Sequence, residues 1–100
     1  MLLPLARLEL QEGRQYYDLQ QPGLGQRCIQ DFKAAARRIV RWPLACPLER
    51  GEIRKCLLER FPYKLLYALR DENILILAVA HQHRQPDDWA EPQPQPQPQP

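Results

Sequence analysis

The sequence predicts an α+β domain, helices first and an antiparallel sheet second. Three observations predict it. Apolar residues recur with helical spacing as far as residue 41, interrupted once by Gln21-Pro22-Gly23-Leu24-Gly25. From Ile53 the period drops from 3.6 to 2. Residues 74–80 are an unbroken apolar run, far too short to span a bilayer as a helix and suited to a buried strand.

Taken in order, Pro4 suits the first turn of a helix, where its missing N–H costs nothing. Ala6, Leu10, Gly13 and Tyr17 then form one stripe. The Pro-Gly break stops that helix, and a second runs from Leu24 to Arg41. Leu24, Cys28, Ile29, Phe32, Ala36, Ile39 and Val40 make its apolar face. Arg27, Lys33, Arg37, Arg38 and Arg41 crowd its polar side, as a solvated face or a contact for an acidic partner or nucleic acid. Trp42-Pro43 ends the helix and is expected to close the αα-hairpin over the core. Residues 44–51 read as irregular.

Residues 53–60 form the first expected strand. In the second, Phe61, Tyr63, Leu65, Tyr67 and Leu69 point one way, and Lys64, Leu66, Ala68 and Arg70 the other. Asp71-Glu72-Asn73 turns the chain tightly into the third strand, residues 74–80, which is apolar on both faces and expected to be central. His81-Gln82-His83-Arg84 leaves the sheet, and residues 85–89 form a turn or one short helical turn capped by Asp87. From Pro92 the chain alternates Pro and Gln, so residues 1–91 are the expected folding unit and residues 92–100 a disordered, polyproline-prone tail.

The 14 cationic side chains comprise eleven Arg and three Lys, against 12 carboxylates, for a net charge of +2. Arg suits bidentate contact with carboxylate or phosphate, hence an acidic protein or a nucleic acid. Cys28, Cys46 and Cys56 have neither CxxC nor Cys/His ligand spacing and read as reduced, small hydrophobes in a reducing cytosol. No secretory signal precedes Pro4. The chain contains no Ser or Thr and no phosphate-binding glycine loop, which sets aside those nucleophiles and nucleotide-loop chemistry. His81-x-His83 lacks a third ligand nearby, so no metal or cofactor is expected.

Three motifs carry a family resemblance. Tyr16-Tyr17 followed by Pro22-Gly23-Leu24-Gly25 looks like the helix-hairpin signature of ParE-type toxins. Ile53-Arg54, then Arg60-Phe61-Pro62-Tyr63-Lys64 and Tyr67, is similar to that family's first two meander strands. His81, Arg84, Pro86 and Trp89 resemble its closing pattern. Residues 5–91 therefore resemble the ParE/RelE superfamily, the toxic half of type II toxin–antitoxin pairs. The family begins with a β-strand before its first helix, of which only Met1 to Leu3 stand here: a truncated first strand.

The resemblance implies a cytoplasmic, plasmid-stabilisation type of toxin and a cognate antitoxin partner, with operator DNA bound only through the antitoxin. ParE-like members inhibit DNA gyrase by binding; RelE-like members are endonucleases that need the ribosome and mRNA. A member that only binds antitoxin is a further alternative. Cleaving RNA through the 2′-OH needs an acid, a base and positive charge on the phosphorane. Arg54, Lys64, His81 and Arg84 are the nuclease candidates; with His83 and Trp89 they are also the target-binding candidates. An indole has no usable acidic proton, and the cationic set is sparse, so gyrase binding without catalysis is the expected route.

Overall fold

The computed structural model describes residues 1–82. Helix α1 (Pro4–Gln20) begins on Pro4 as expected and ends where Gln21 turns extended. Gly23 adopts φ +90°, a left-handed conformation that an L side chain resists, and it launches α2 (Leu24–Arg41). The first turn of α2 has no cap from its own N-cap residue. Asp18 of α1 supplies one instead, accepting the Gly25 N–H at 2.8 Å beside the positive end of the helix.

The hairpin closes tightly at Gly25. A Cβ there would collide with the Arg14 carbonyl oxygen and lie 2.7 Å from the Asp18 carboxylate. The carbonyl belongs to α1's backbone and can yield only if the helix moves. Gly25→Ala is therefore expected to cost about 1–3 kcal/mol, the usual range for overpacking, read as a lowered urea midpoint at unchanged slope.

The sheet has four strands in the order β1-β2-β3-β4, all antiparallel: β1 (Leu48–Arg50), β2 (Ile53–Leu57), β3 (Tyr63–Arg70) and β4 (Asn73–His81). Three expectations about the strands need correction. β4, read as central because it is apolar on both faces, is the last strand of the sheet, with only the short Met1–Leu3 segment beyond it. Residues 48–50, read as irregular, form an edge strand, because the Lys55 N–H bonds the Pro47 carbonyl at 3.0 Å and Gly51 takes φ +56° to turn the chain back. The first expected strand also ends three residues early, at Leu57, since Pro62 cannot donate to a ladder and residues 58–62 form a turn. The β3–β4 turn has positive φ at both Asp71 (51°) and Glu72 (66°), the type I′ geometry that matches strand twist.

At the other edge, Met1–Leu3 do add to the sheet. Ile76 N–H bonds the Met1 carbonyl at 2.7 Å and Leu3 N–H bonds the Ile76 carbonyl at 3.0 Å, a short parallel bridge along β4. Further along that edge the Glu9 carboxylate of α1 accepts the Val79 N–H at 2.7 Å, so a helix side chain takes over where the strand stops.

Both helices lie on one side of the sheet. Ala6, Cys28, Phe32, Ala35 and Ile39 from the helices pack against Cys56, Leu58, Phe61, Leu65, Tyr67, Ile76 and Val79. The alternation expected for β3 holds: Tyr63, Leu65, Tyr67 and Leu69 face the helices. Trp42 does not cover the core. It is 55% exposed with the Arg41 guanidinium 4.7 Å over its ring, and Val40, on the side of the helix away from the buried Ile39, is exposed too. Burial pushes the Cys28 thiol up to about 11, which keeps it a protonated hydrophobe at neutral pH. Among the described residues no helix is long and apolar enough to cross a membrane. The domain's expected end at residue 91 and the Pro-Gln tail lie outside the described residues.

Candidate functional site

The strand register decides which candidate residues can meet. Lys64 pairs with Ala80, while its neighbour Tyr63 pairs with His81. Tyr63 packs among the helices, its ring 6.2 Å from that of Tyr17 and 6.1 Å from that of His81. His81 therefore lies on the helix side of the sheet and Lys64 on the far side.

Arg54 pairs with Tyr67 and also lies on the helix side. Its guanidinium donates to the Cys46 carbonyl at 2.7 Å and the Leu44 carbonyl at 3.3 Å, holding the loop that follows α2. Tyr67 helps it, donating its hydroxyl to the Pro43 carbonyl at 2.7 Å. From Arg54 to His81 is four residues along the strands, about 13 Å, and two strand spacings across, about 10 Å. Arg54, Lys64 and His81 are not brought together. His83, Arg84 and Trp89 lie outside the described residues.

On the far side, Lys64 is 4% exposed and its ammonium sits 2.6 Å from the Glu49 carboxylate, itself 6% exposed. Lys55 approaches the same carboxylate at 3.5 Å. Beside this triad lie Leu66, Ala78 and Ala80, all buried, with Ile53 against them. On this face the candidate Lys64 is thus neutralised beside a small apolar floor. The sequence reading missed Glu49, because β1, which delivers it, was read as irregular.

His81 does border a cleft of about 400 Å³ between α1 and the end of β4, lined by Glu9, Glu12, Gly13, Tyr16, Tyr63 and Val79. The chemistry there is acidic and aromatic. Burial, with Tyr17 alongside, pushes the Tyr63 hydroxyl up to about 12, so it stays a protonated phenol at neutral pH and is no general base. Among the described residues no group of three or more His, Cys, Asp or Glu is placed to hold a metal ion.

A second surface went unread in the sequence. Leu5, Leu8, Tyr16 and Leu19 occupy one stripe of α1, at i, i+3, i+11 and i+14, flanking the stripe of the buried Ala6 and Gly13, and all four are exposed. Large apolar side chains exposed along one stripe of a helix that buries another mark a candidate contact surface. The signal was available: residues 5–19 contain apolar positions outside the stripe of Ala6, Leu10, Gly13 and Tyr17.

No protein-family model and no curated protein matches the chain. Among solved structures, a chain of the chromosomal ParDE TA system from P. aeruginosa is similar in fold, with a TM-score of 0.72 over 80% of this chain and 90% of that chain at 19% identity. The likeness shows the fold: two helices followed by a four-stranded antiparallel sheet, an α+β arrangement of the ParE-like kind.

Proposed function

We propose that the chain is the toxin of a type II toxin–antitoxin pair of ParE type, which inhibits DNA gyrase by binding and is neutralised by a cognate antitoxin in the cytoplasm. Two things support the reading: the likeness to a chain of a ParDE TA system, and the dispersal of the nuclease candidates. The second carries the choice of route. An acid, a base and a phosphate-binding cation must lie within hydrogen-bond reach of one substrate. Here Lys64 is held by Glu49 on one face and His81 stands on the other, with Arg54 bound to backbone carbonyls. Recognition of a protein target needs no such convergence. In this reading the target-facing residues are His81 and, outside the described residues, His83, Arg84 and Trp89.

The antitoxin lays an apolar helix along Leu5, Leu8, Tyr16 and Leu19 of α1, folding as it binds. Purified full-length chain is expected to inhibit gyrase supercoiling and to leave mRNA on ribosomes intact; the reverse pair of results would replace this reading with the endonuclease one. Induction without the antitoxin is expected to arrest growth, and normal growth of cells holding soluble, folded chain would overturn toxicity altogether. Leu8→Arg with Tyr16→Ala is expected to weaken antitoxin binding at least 30-fold, the size of one interface hot spot of about 2 kcal/mol, while growth arrest persists.

A further inference from the structure

The exposed stripe of α1 has a charge at its midpoint. Leu5, Leu8, Glu12, Tyr16 and Leu19 follow one another at intervals of three, four, four and three residues, so all five lie on one face of the helix. Glu12 is exposed like the four around it. Its neighbours one turn away, Leu8, Glu9, Gln15 and Tyr16, include no base. Among the described residues no hydrogen bond or ion pair engages Glu12.

The cleft between α1 and the end of β4 opens beside this carboxylate. Tyr16 belongs both to the stripe and to the cleft wall. Glu9 adds a second carboxylate, one oxygen of which accepts the Val79 N–H, and Tyr63 and His81 add rings. Carboxylates beside aromatic faces suit a guanidinium, which takes a carboxylate in a fork and stacks on a ring.

The spacing also rejects two occupants. The intervals read the same in both directions, with Glu12 at the centre. A second copy laid on the stripe with twofold symmetry, parallel or antiparallel, therefore sets Glu12 against Glu12, and facing like charges disfavour the pair. A wholly apolar helix buries the Glu12 charge with nothing opposite it.

We propose that the partner helix on α1 carries an arginine at its midpoint, which enters the cleft and pairs with Glu12 against the Tyr16 ring, between apolar residues that cover Leu5, Leu8 and Leu19. The inference rests on the reading that a helix of the antitoxin covers this stripe, and it names the charge by which that helix is selected.

Fluorescence anisotropy of labelled, stapled helical peptides with the full-length chain tests it. Each peptide has about 15 residues, the length of the stripe, with leucines over its apolar positions. One carries arginine at the centre. Two controls carry glutamine or leucine there and the arginine on the outward face, so net charge is equal. Because the stripe is symmetric about Glu12, the central residue meets it in either peptide direction. The arginine-centred peptide is expected to bind about tenfold more tightly than either control, the coupling of a close interfacial charge pair. In Glu12→Gln that preference disappears, and the urea midpoint shows that this variant is folded. Equal binding of the three peptides, or a preference that survives in folded Glu12→Gln, overturns the proposal. A wild-type chain that sediments as a dimer, and that Leu8→Arg returns to a monomer, overturns it as well, because the occupant is then a second copy. Failure of every peptide to bind removes the α1 docking site altogether, while gyrase inhibition and growth arrest, measured separately, still decide the toxin reading.

Discussion

Lys64→Met lowers the stability of the folded chain by about 3–5 kcal/mol, because it strips a buried carboxylate of its partner. Glu49 is 6% exposed and its strongest contact is the Lys64 ammonium at 2.6 Å. Lys55 remains at 3.5 Å but is more than a third exposed, so solvent screens it and it compensates little. For a domain of this size that loss shifts the melting temperature by roughly 12–40 °C. The converse result separates pairing from packing. Lys64→Met with Glu49→Leu removes both charges and their desolvation, and such swaps are neutral to stabilising by about 1–4 kcal/mol. A double variant as unstable as the single one would show that the shape of the site, not its charge, is what matters.

The same pair sets a pH dependence. Burial alone would raise the Glu49 pKa, but the hydrogen bond and charge of Lys64, with Lys55 behind them, hold it below the usual carboxylate range. A depressed carboxyl contributes stability that is fully present above its unfolded value and is lost as pH falls through the folded one. In Lys64→Met the sign inverts: burial dominates, and acidification relieves the variant. Urea midpoints of the two proteins should converge as pH drops through the carboxylate range; a gap that stays constant with pH would contradict the charge argument. The double variant also asks a functional question. With Lys64 engaged as it is, toxicity should survive Lys64→Met/Glu49→Leu, although the residue type and position had suggested a target contact.

Lys64 and His81 also show where the sequence could be read and where it could not. Proline and glycine punctuation at Pro4, at residues 21–25 and at Pro43 bounded both helices, since those residues act locally on the backbone. Alternation placed the β3 side chains on their correct faces for the same reason. The face of His81 depends on something alternation does not carry. Ile74 and Ile76 pair with Leu69 and Tyr67 on the helix side, and strict alternation from them would put His81 on the far side with Lys64. A bulge intervenes: Leu66 pairs with Ala78 and Tyr67 with Ile76, leaving Leu77 as the extra residue. One unpaired residue in an apolar run inverts every position after it. That inversion put His81 on the face opposite Lys64. β1 failed for another reason. Three residues between Pro47 and Gly51 are too few to show a period, and Glu49 gains its meaning from a lysine fifteen residues away.

Asp31→Ala is expected to cost about 3–5 kcal/mol, comparable to Lys64→Met, for a reason that runs through backbone rather than charge pairing. Asp31 lies in the middle of α2, 7% exposed, where a polar side chain gains nothing for the helix. Its carboxylate instead accepts three backbone N–H groups from the β2–β3 turn: Arg60 at 2.8 Å, Phe61 at 3.0 Å and Glu59 at 3.3 Å. Each donor left buried without a partner costs about 1–3 kcal/mol, less where water reaches it, and Phe61 is the most enclosed of the three. The anchor also sets the entry to β3. It fixes Phe61 against Tyr17 at 4.8 Å and so the start of Tyr63-Lys64, whose alternation puts one side chain into the core and the other on Glu49. Asp31→Asn keeps one carbonyl acceptor and should lose roughly half as much, because its amide nitrogen meets N–H groups rather than acceptors. Hydrogen exchange gives the sharper measurement. In Asp31→Ala the amides of residues 60 and 61 should lose protection well before those of β3 and β4, opening the turn while the sheet holds. Uniform loss across the sheet would mean that α2 as a whole has come away, and that this carboxylate is the bolt between helix hairpin and meander rather than a local cap.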